Sequence, residues 1–212
     1  MKLVDKSIID FIDEVDSASP APGGGSVSAL AGSLGVSLSR MVGHLSVNKK
    51  KFKELDDEIK EEVLSRFSEL AEIKDELNVL IDRDTEAFNY VMAAFKLPKE
   101  TEEEKKARGA AIEEATYKAV DVPMVIAELS YRGLELIECF VEYGNRNAIT
   151  DLGVSALLLV TALEGAILNV KINLPGISDE KYVADMRERC TELLKNGQEI
   201  KAEIMAGVEA KL

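Results

Sequence analysis

Apolar positions along this chain recur at three- and four-residue spacing almost from end to end. No segment alternates, so the pattern predicts helices and no strands. Ser7–Val15 reads as a short amphipathic helix opened by a serine cap. Val27, Leu30, Leu34, Leu38, Met41 and Leu45 predict a helix over Gly25–Ser46, whose other side carries Ser26, Ala29, Ser33, Ser37, Arg40 and His44. Gly32 and Gly35 fall inside it, each at a cost of roughly 1 kcal/mol against alanine. Close packing of another helix, or a bound ligand, is the usual offset. Phe52–Lys96 reads as one helix without a breaker, on the order of 65 Å long, stopped by Pro98. Thr101 and Glu104 form a capping-box pattern for a helix to about Val120. Pro123 kinks or restarts it, and helix resumes to Val141. Tyr143-Gly144-Asn145 is a turn, Asn147–Lys171 a helix, Leu174-Pro175-Gly176 a loop, and Asp179–Lys211 a final helix. Long helices joined by short loops describe an all-α protein, an antiparallel bundle forming a single domain over residues 1–212.

Charge narrows the partners. The 212 residues carry a formal net charge of −13, which argues against non-specific nucleic-acid binding. Cys139 and Cys190 match no metal or disulfide spacing and suit a reducing compartment. The N-terminus lacks an apolar signal core, and the longest apolar run, Leu152–Val170, is interrupted by Thr161, Glu164 and Asn169. The expectation is a cytoplasmic protein with no membrane and no nucleic-acid partner.

Four features do not fit a plain helical bundle. In Ser19-Pro20-Ala21-Pro22-Gly23-Gly24-Gly25-Ser26 the prolines favour an extended approach and the glycines strip the turn of side chains. Ser26 can cap the helix that follows, whose free N–H groups would suit an anion or a carbonyl oxygen. The bland reading is an inter-helix turn. Asp84 falls in the apolar stripe Leu70, Leu77, Ile81, Phe88, Val91 and Phe95. Either it is buried and paired, or the helix rotates to leave it wet; Arg83 lies about 100° away around the helix and need not be its partner. On the Asn147–Lys171 helix one stripe is small or polar, with Asn147, Asp151, Ser155, Leu158, Ala162, Gly165 and Asn169, and Asn173 one turn further. Leu152, Leu159, Leu163 and Ile167 form an apolar stripe beside it. Asn147 can act as a cap, whereas Asp151 and Asn169 fall after the expected helix start. Last, Lys49-Lys50-Lys51 with Lys53 is a basic knot in an acidic protein, either solvated or holding an anionic tail. His44, the single histidine, reads as incidental surface.

These segments together resemble the cyclodeaminase/cyclohydrolase family, which includes the C-terminal domain of formiminotransferase-cyclodeaminase and stand-alone methenyltetrahydrofolate cyclohydrolases. The resemblance is carried by Phe11-Ile12-Asp13-Glu14-Val15, Ser19–Ser26, Lys49-Lys50-Lys51-Phe52, Asp82-Arg83-Asp84-Thr85-Glu86-Ala87-Phe88, Leu97-Pro98-Lys99, the seven residues Asn147–Gly153 and the nine residues Gly165–Asn173. It implies an all-helical homodimer that binds a tetrahydrofolate derivative. Its binding loop would be Pro22, Gly23, Gly24, Gly25 and Ser26, with Lys49, Lys51, Asn147, Thr150 and Asn169 as further binding residues. Asp84, Asp151 and Lys50 would be catalytic. Phe52 stands where the family often has tyrosine. The implied activity is hydrolysis of 5,10-methenyltetrahydrofolate to 10-formyltetrahydrofolate, preferred because the chain carries no formiminotransferase segment. The alternative is a formiminotetrahydrofolate cyclodeaminase releasing ammonia, with a separate formiminotransferase as partner. A non-catalytic folate-binding helical dimer is the third reading. No metal, and no cofactor beyond the folate substrate, is expected.

Overall fold

The computed structural model describes residues 2–212, and every element of regular structure among them is helical. The α-helices are α1 (Ile8–Val15), α2 (Gly24–Val47), α3 (Lys50–Lys53), α4 (Asp57–Phe95), α5 (Glu102–Ile137), α6 (Cys139–Tyr143), α7 (Ile149–Asn173) and α8 (Glu180–Glu209). Short 3-10 turns lie at Leu3–Asp5, Arg146–Ala148 and Leu174–Gly176. Ser7 caps α1 by accepting from the Asp10 N–H, and both bonds of the Thr101–Glu104 capping box form at α5.

The expected helix from Phe52 to Lys96 is two helices. Buried Phe52 draws α3 onto the bundle. The chain then leaves helical geometry at Asp56, in extended backbone, before α4 opens on Asp57 and Glu58. Carboxylates in that first turn face the positive end of the new helix dipole. At Pro123 the opposite correction applies, because α5 runs through it from Glu102 to Ile137 without restarting. A proline cannot donate to the carbonyl four residues earlier. Here that carbonyl, on Ala119, accepts instead from Asn173 Nδ2 at 3.0 Å. Asn173 also donates to Asn169 O at 2.9 Å, so it is a structural clamp between α5 and the end of α7.

At the centre, α2 and α7 pack antiparallel, with α4 against α2, α5 against both α7 and α4, and α8 against α7. The α2–α7 approach is close because its residues are small. An added Cβ would lie 3.0 Å from Leu159 at Gly35, and 3.3 Å from Ala162 at Gly32. Ser155 donates to Gly35 O at 2.7 Å, and its hydroxyl also meets that of Ser39. The glycines inside α2 are therefore offset by helix packing.

This packing reverses the expected polarity of α2. Its buried face is the small one, including Gly25, Ser26, Ala29, Gly32, Ser33, Gly35 and Ser39. Its leucine stripe turns outward, with Val27, Leu34, Met41 and Leu45 exposed. On α7 the middle of the small stripe is internal, where Ser155 and Ala162 meet α2, and Leu152, Leu159, Leu163 and Ile167 are fully or nearly fully buried. The Arg146–Gly176 stretch is apolar enough to cross a membrane by length and composition, with a mean hydropathy of 1.8. Its packing against α2, α5 and α8 accounts for that apolarity. Cys139 and Cys190 are free thiols, and burial pushes the Cys139 thiol up to about 12.

Candidate functional site

The glycine loop is occupied by a side chain of the protein itself. α2 begins at Gly24 with Gly23 as its cap residue, so Ser26 lies in the first turn and does not cap. Its N–H donates to Asp84 Oδ2 at 2.8 Å, and its hydroxyl donates to the same oxygen at 3.1 Å. The Ser26 and Thr85 hydroxyls are 3.1 Å apart. Asp84 therefore caps α2 from α4, with its charge at the positive end of the α2 dipole. Gly25 is required for this contact: an added Cβ would lie 2.0 Å from Asp84 Oδ1. Asp84 is half-buried and hydrogen-bonded rather than left wet; Arg83 is exposed. Burial raises the Asp84 carboxyl above its ordinary range, opposed by the two hydrogen bonds from Ser26.

The same end of the bundle gathers further polar groups. Asn169 lies against Gly24, where an added Cβ would be 3.0 Å from its Nδ2, and it donates to Gly165 O at 2.8 Å. Ser28, unassigned in the sequence, donates to Gly24 O at 2.7 Å. Pro22 is buried and Gly23 half-buried. Beside this cluster an apolar cleft of about 610 Å³ runs under the N-terminal segment, between Phe11, Ile12, Leu30, Leu34 and Ile81, with Asn78 as a polar group on its wall. Leu30 and Ile81 are one helical turn from Ser26 and Asp84. The N-terminal segment is tied down by the Leu3 N–H, which donates to Asp82 Oδ1 at 2.6 Å. Sequence reasoning missed this cleft because its walls are ordinary apolar residues. Thr85 was legible only as the neighbour of Asp84.

The other expected site residues lie at the far end of α2 and α7. Asp151 is eighteen residues before Asn169 on α7, about 27 Å away along the helix axis. Asp84 and Asp151 therefore do not share a pocket within one chain. The α-helix starts at Ile149, two residues later than expected, which puts Asp151 in its first turn. A carboxylate there has a structural use against the helix dipole, contrary to the sequence reading. Asn147 is exposed in the preceding 3-10 turn; it is not a cap, and its N–H donates to Asn145 Oδ1 at 3.1 Å. Thr150 is exposed. The turn is pinned to α2 by the Asn145 N–H, which donates to Ser46 Oγ at 2.8 Å. Lys49 and Lys50 are exposed, with Lys50 Nζ 3.6 Å from Glu54. Lys51 lines a small polar cavity with Arg146 and Lys211. His44 is exposed and edge-on to Phe67, 4.8 Å between ring centres, in neither cluster. No group of three or more His, Cys, Asp or Glu side chains able to hold a metal ion occurs among the described residues.

Residues 7–192 match the family described as formiminotransferase-cyclodeaminase. The chain belongs to this family. It is 36% identical to the methenyltetrahydrofolate cyclohydrolase of Methylorubrum extorquens, over 98% of each chain. It is 36% identical to the formimidoyltransferase-cyclodeaminase of Gallus gallus, over 99% of this chain but only 38% of that protein. The crystal structure of formiminotetrahydrofolate cyclodeaminase from Thermotoga maritima superposes with a TM-score of 0.84 at 27% identity, covering 97% of this chain and 96% of the other. The formiminotransferase-cyclodeaminase match thus includes the glycine loop, Asp84 and Asn169 at one end and the Lys49–Lys51 and Asn147–Asp151 segments at the other.

Proposed function

We propose that this protein is a methenyltetrahydrofolate cyclohydrolase acting in one-carbon metabolism. The observation that carries the reading is the match to the Methylorubrum extorquens cyclohydrolase over 98% of both chains. The substrate holds one carbon between N5 and N10 as an electrophilic amidinium. Water adds to that carbon and gives a proton to a base. The tetrahedral intermediate then collapses: its hydroxyl gives up its proton as the C=O bond forms, the bond from carbon to N5 breaks, and N5 takes up a proton. The product is 10-formyltetrahydrofolate, with one proton released overall. This asks for an acid, a base and a polar pocket. Asp84, held above the ordinary carboxylate range by burial, suits proton donation to N5. The apolar cleft one turn away offers a surface for the flat ring system. Asp151 and Lys50 supply the remaining charged groups, and the chemistry requires no redox cofactor.

The second reading is a cyclodeaminase, favoured by the fold match to the Thermotoga maritima enzyme. There N10 attacks the formimino carbon and ammonia leaves after protonation, across a tetrahedral carbon between the same two nitrogens; a separate formiminotransferase would supply that substrate. The deciding experiment follows the methenyl absorbance band with purified protein, beside ammonia release from the formimino substrate. Loss of the band without an ammonia-releasing activity supports the cyclohydrolase. Ammonia release assigns the cyclodeaminase, and tight folate binding with neither reaction assigns the non-catalytic reading.

A homodimer and a cytoplasmic setting belong to the same proposal. Supporting the dimer are the outward-facing apolar side chains of α2, which a protomer leaves uncovered. The lysine knot is proposed to hold the folate carboxylates, so Lys50→Met is expected to weaken folate binding and flatten its salt dependence, or to slow turnover. Titration calorimetry at two salt concentrations and a turnover assay check this. If none of these changes, the lysines are solvated and Lys50 leaves the site.

A further inference from the structure

We infer that the groove between α2 and α4 seats the benzoyl-glutamate tail of the substrate, with Asn78 donating to its amide carbonyl and Arg40 and Lys74 taking its carboxylates. The inference rests on the tetrahydrofolate reading above. It adds residues that lie outside every segment carrying the family resemblance.

Antiparallel contact between the two helices builds the groove. Ser26 meets Asp84, Ser33 meets Asn78, and Arg40 meets Phe67. Two cavities follow one another along it. The apolar cleft described above has Leu30 and Leu34 from α2 and Asn78 and Ile81 from α4 on its walls. One turn further along each helix lies a second cavity of about 310 Å³, lined by Ser37, Arg40 and His44 from α2 and Lys74 from α4, with Met41 and Leu45 beside them. Among the described residues no carboxylate lines it, in a chain whose net charge is −13.

The polar groups there are positioned but keep donors to spare. Arg40 is half-buried, donates through one nitrogen to the Phe67 carbonyl, and holds its guanidinium 4.4 Å from the centre of the Phe67 ring. The rest of its donor fork is left for a carboxylate. Lys74 Nζ is 2.9 Å from its chain neighbour Asp75, a water-exposed pair of little worth that a ligand carboxylate can replace. Asn78 Oδ1 accepts from Ser33 Oγ at 2.6 Å, which leaves Nδ2 to donate into the cleft.

This order of groups matches the substrate. With N5 at Asp84, the tail runs down the groove as benzoyl ring, amide and glutamate. An apolar wall, an amide donor and two cations follow in the same sequence. Asn78 and Lys74 are one turn, about 6 Å, apart. Ser37 and Arg40 lie about 17–21 Å from Ser26 along α2. The stretch from N10 to the carboxylates is about as long as three extended residues, ~10 Å, and the long arginine and lysine side chains reach back over the remainder. The lysine knot begins nine residues past Arg40, about 14 Å further. It therefore meets only carboxylates beyond the first glutamate.

The test compares tetrahydrofolate with its glutamate dimethyl ester, which keeps the length of the tail and loses both charges. Titration calorimetry on the wild type should show at least ~10-fold tighter binding of the charged form, the scale of one charge-assisted hydrogen bond. Lys74→Gln and Arg40→Gln should each remove most of that preference, leave the ester's affinity as it was, and act on KM rather than kcat. Arg40→Lys should keep part of the preference, because the charge stays and the fork is lost. Asn78→Ala should weaken both probes alike. Equal losses for both probes at Arg40 and Lys74 would mean that these side chains only shape the groove, and would overturn the subsite. An unchanged preference in both variants overturns it as well. A wild-type protein that binds both probes without preferring the charged one sinks the inference alone. One that binds neither sinks the proposed function and the inference together.

Discussion

Asp84→Asn lowers turnover at least ~10²-fold and leaves the fold as stable as wild type, or more so, at neutral pH. Two observations set this expectation. The carboxylate is half-buried against the start of α2, where it accepts two hydrogen bonds, both from Ser26. Burial outweighs those hydrogen bonds and raises its pKa above the ordinary 3.8. A raised native value means that the folded state holds the proton to higher pH than the unfolded chain does. The associated stability is complete below the unfolded value and is lost as pH rises through the native one. At neutral pH the ion is therefore a net cost to folding, and Asn removes that cost while its Oδ1 still accepts from the Ser26 N–H. Thermal melts across the acidic range check this: the wild-type deficit against Asp84→Asn should shrink as pH falls towards 3.8. Turnover measured on the same samples separates the two roles. A folded variant with full activity would show that Asp84 only caps α2; a clear loss of stability at neutral pH would show that the charge is a net structural gain.

Gly25→Ala is expected to damage both stability and turnover, although it adds one methyl group. Its Cβ would stand 2.0 Å from Asp84 Oδ1 and 2.4 Å from Cγ, distances no non-bonded pair tolerates. The aspartate must move, and the fully buried Ser26 then loses the acceptor of its N–H. An unsatisfied buried donor costs about 1–3 kcal/mol, which for a chain of this size lowers Tm by roughly 2–12 °C. Combining Gly25→Ala with Asp84→Ala removes the clash, so stability should partly recover while activity stays low. Calorimetry on the single and double variants measures the coupling. Purely additive losses would mean that Gly25 and Asp84 do not compete for the same space.

Much of the fold was legible because helix ends are local events. The Ser7 cap, the Thr101–Glu104 box and the Asp179 cap are each made by residues within three positions of one another. The misjudged course of the chain at Pro123 and at Asp56 depended on tertiary contacts. α5 continues through Pro123 because Asn173 supplies the donor that proline lacks. The break at Asp56 carries no proline or glycine and follows the burial of Phe52. Within the site, the oddity of Asp84 was visible in its stripe, but its partner, 58 positions away on another helix, was not. The loop drew notice for its three glycines, yet nothing in it said that Asp84 would fill the space.

Sequence alone determined the helical class, nearly every helix, and the residues whose polarity conflicts with burial, because periodicity, caps and composition act over a few residues. Tertiary structure decided which face of α2 turns inward. Leucines at perfect spacing lost the interior to Gly25, Gly32, Gly35 and their serine neighbours, because only small residues let α7 approach so closely. It also decided that the candidate polar residues fall into two groups at opposite ends of one helix pair. Spacing along a chain sets the face of a helix; the end of the bundle at which a residue meets its partners is set by the direction in which helices pack.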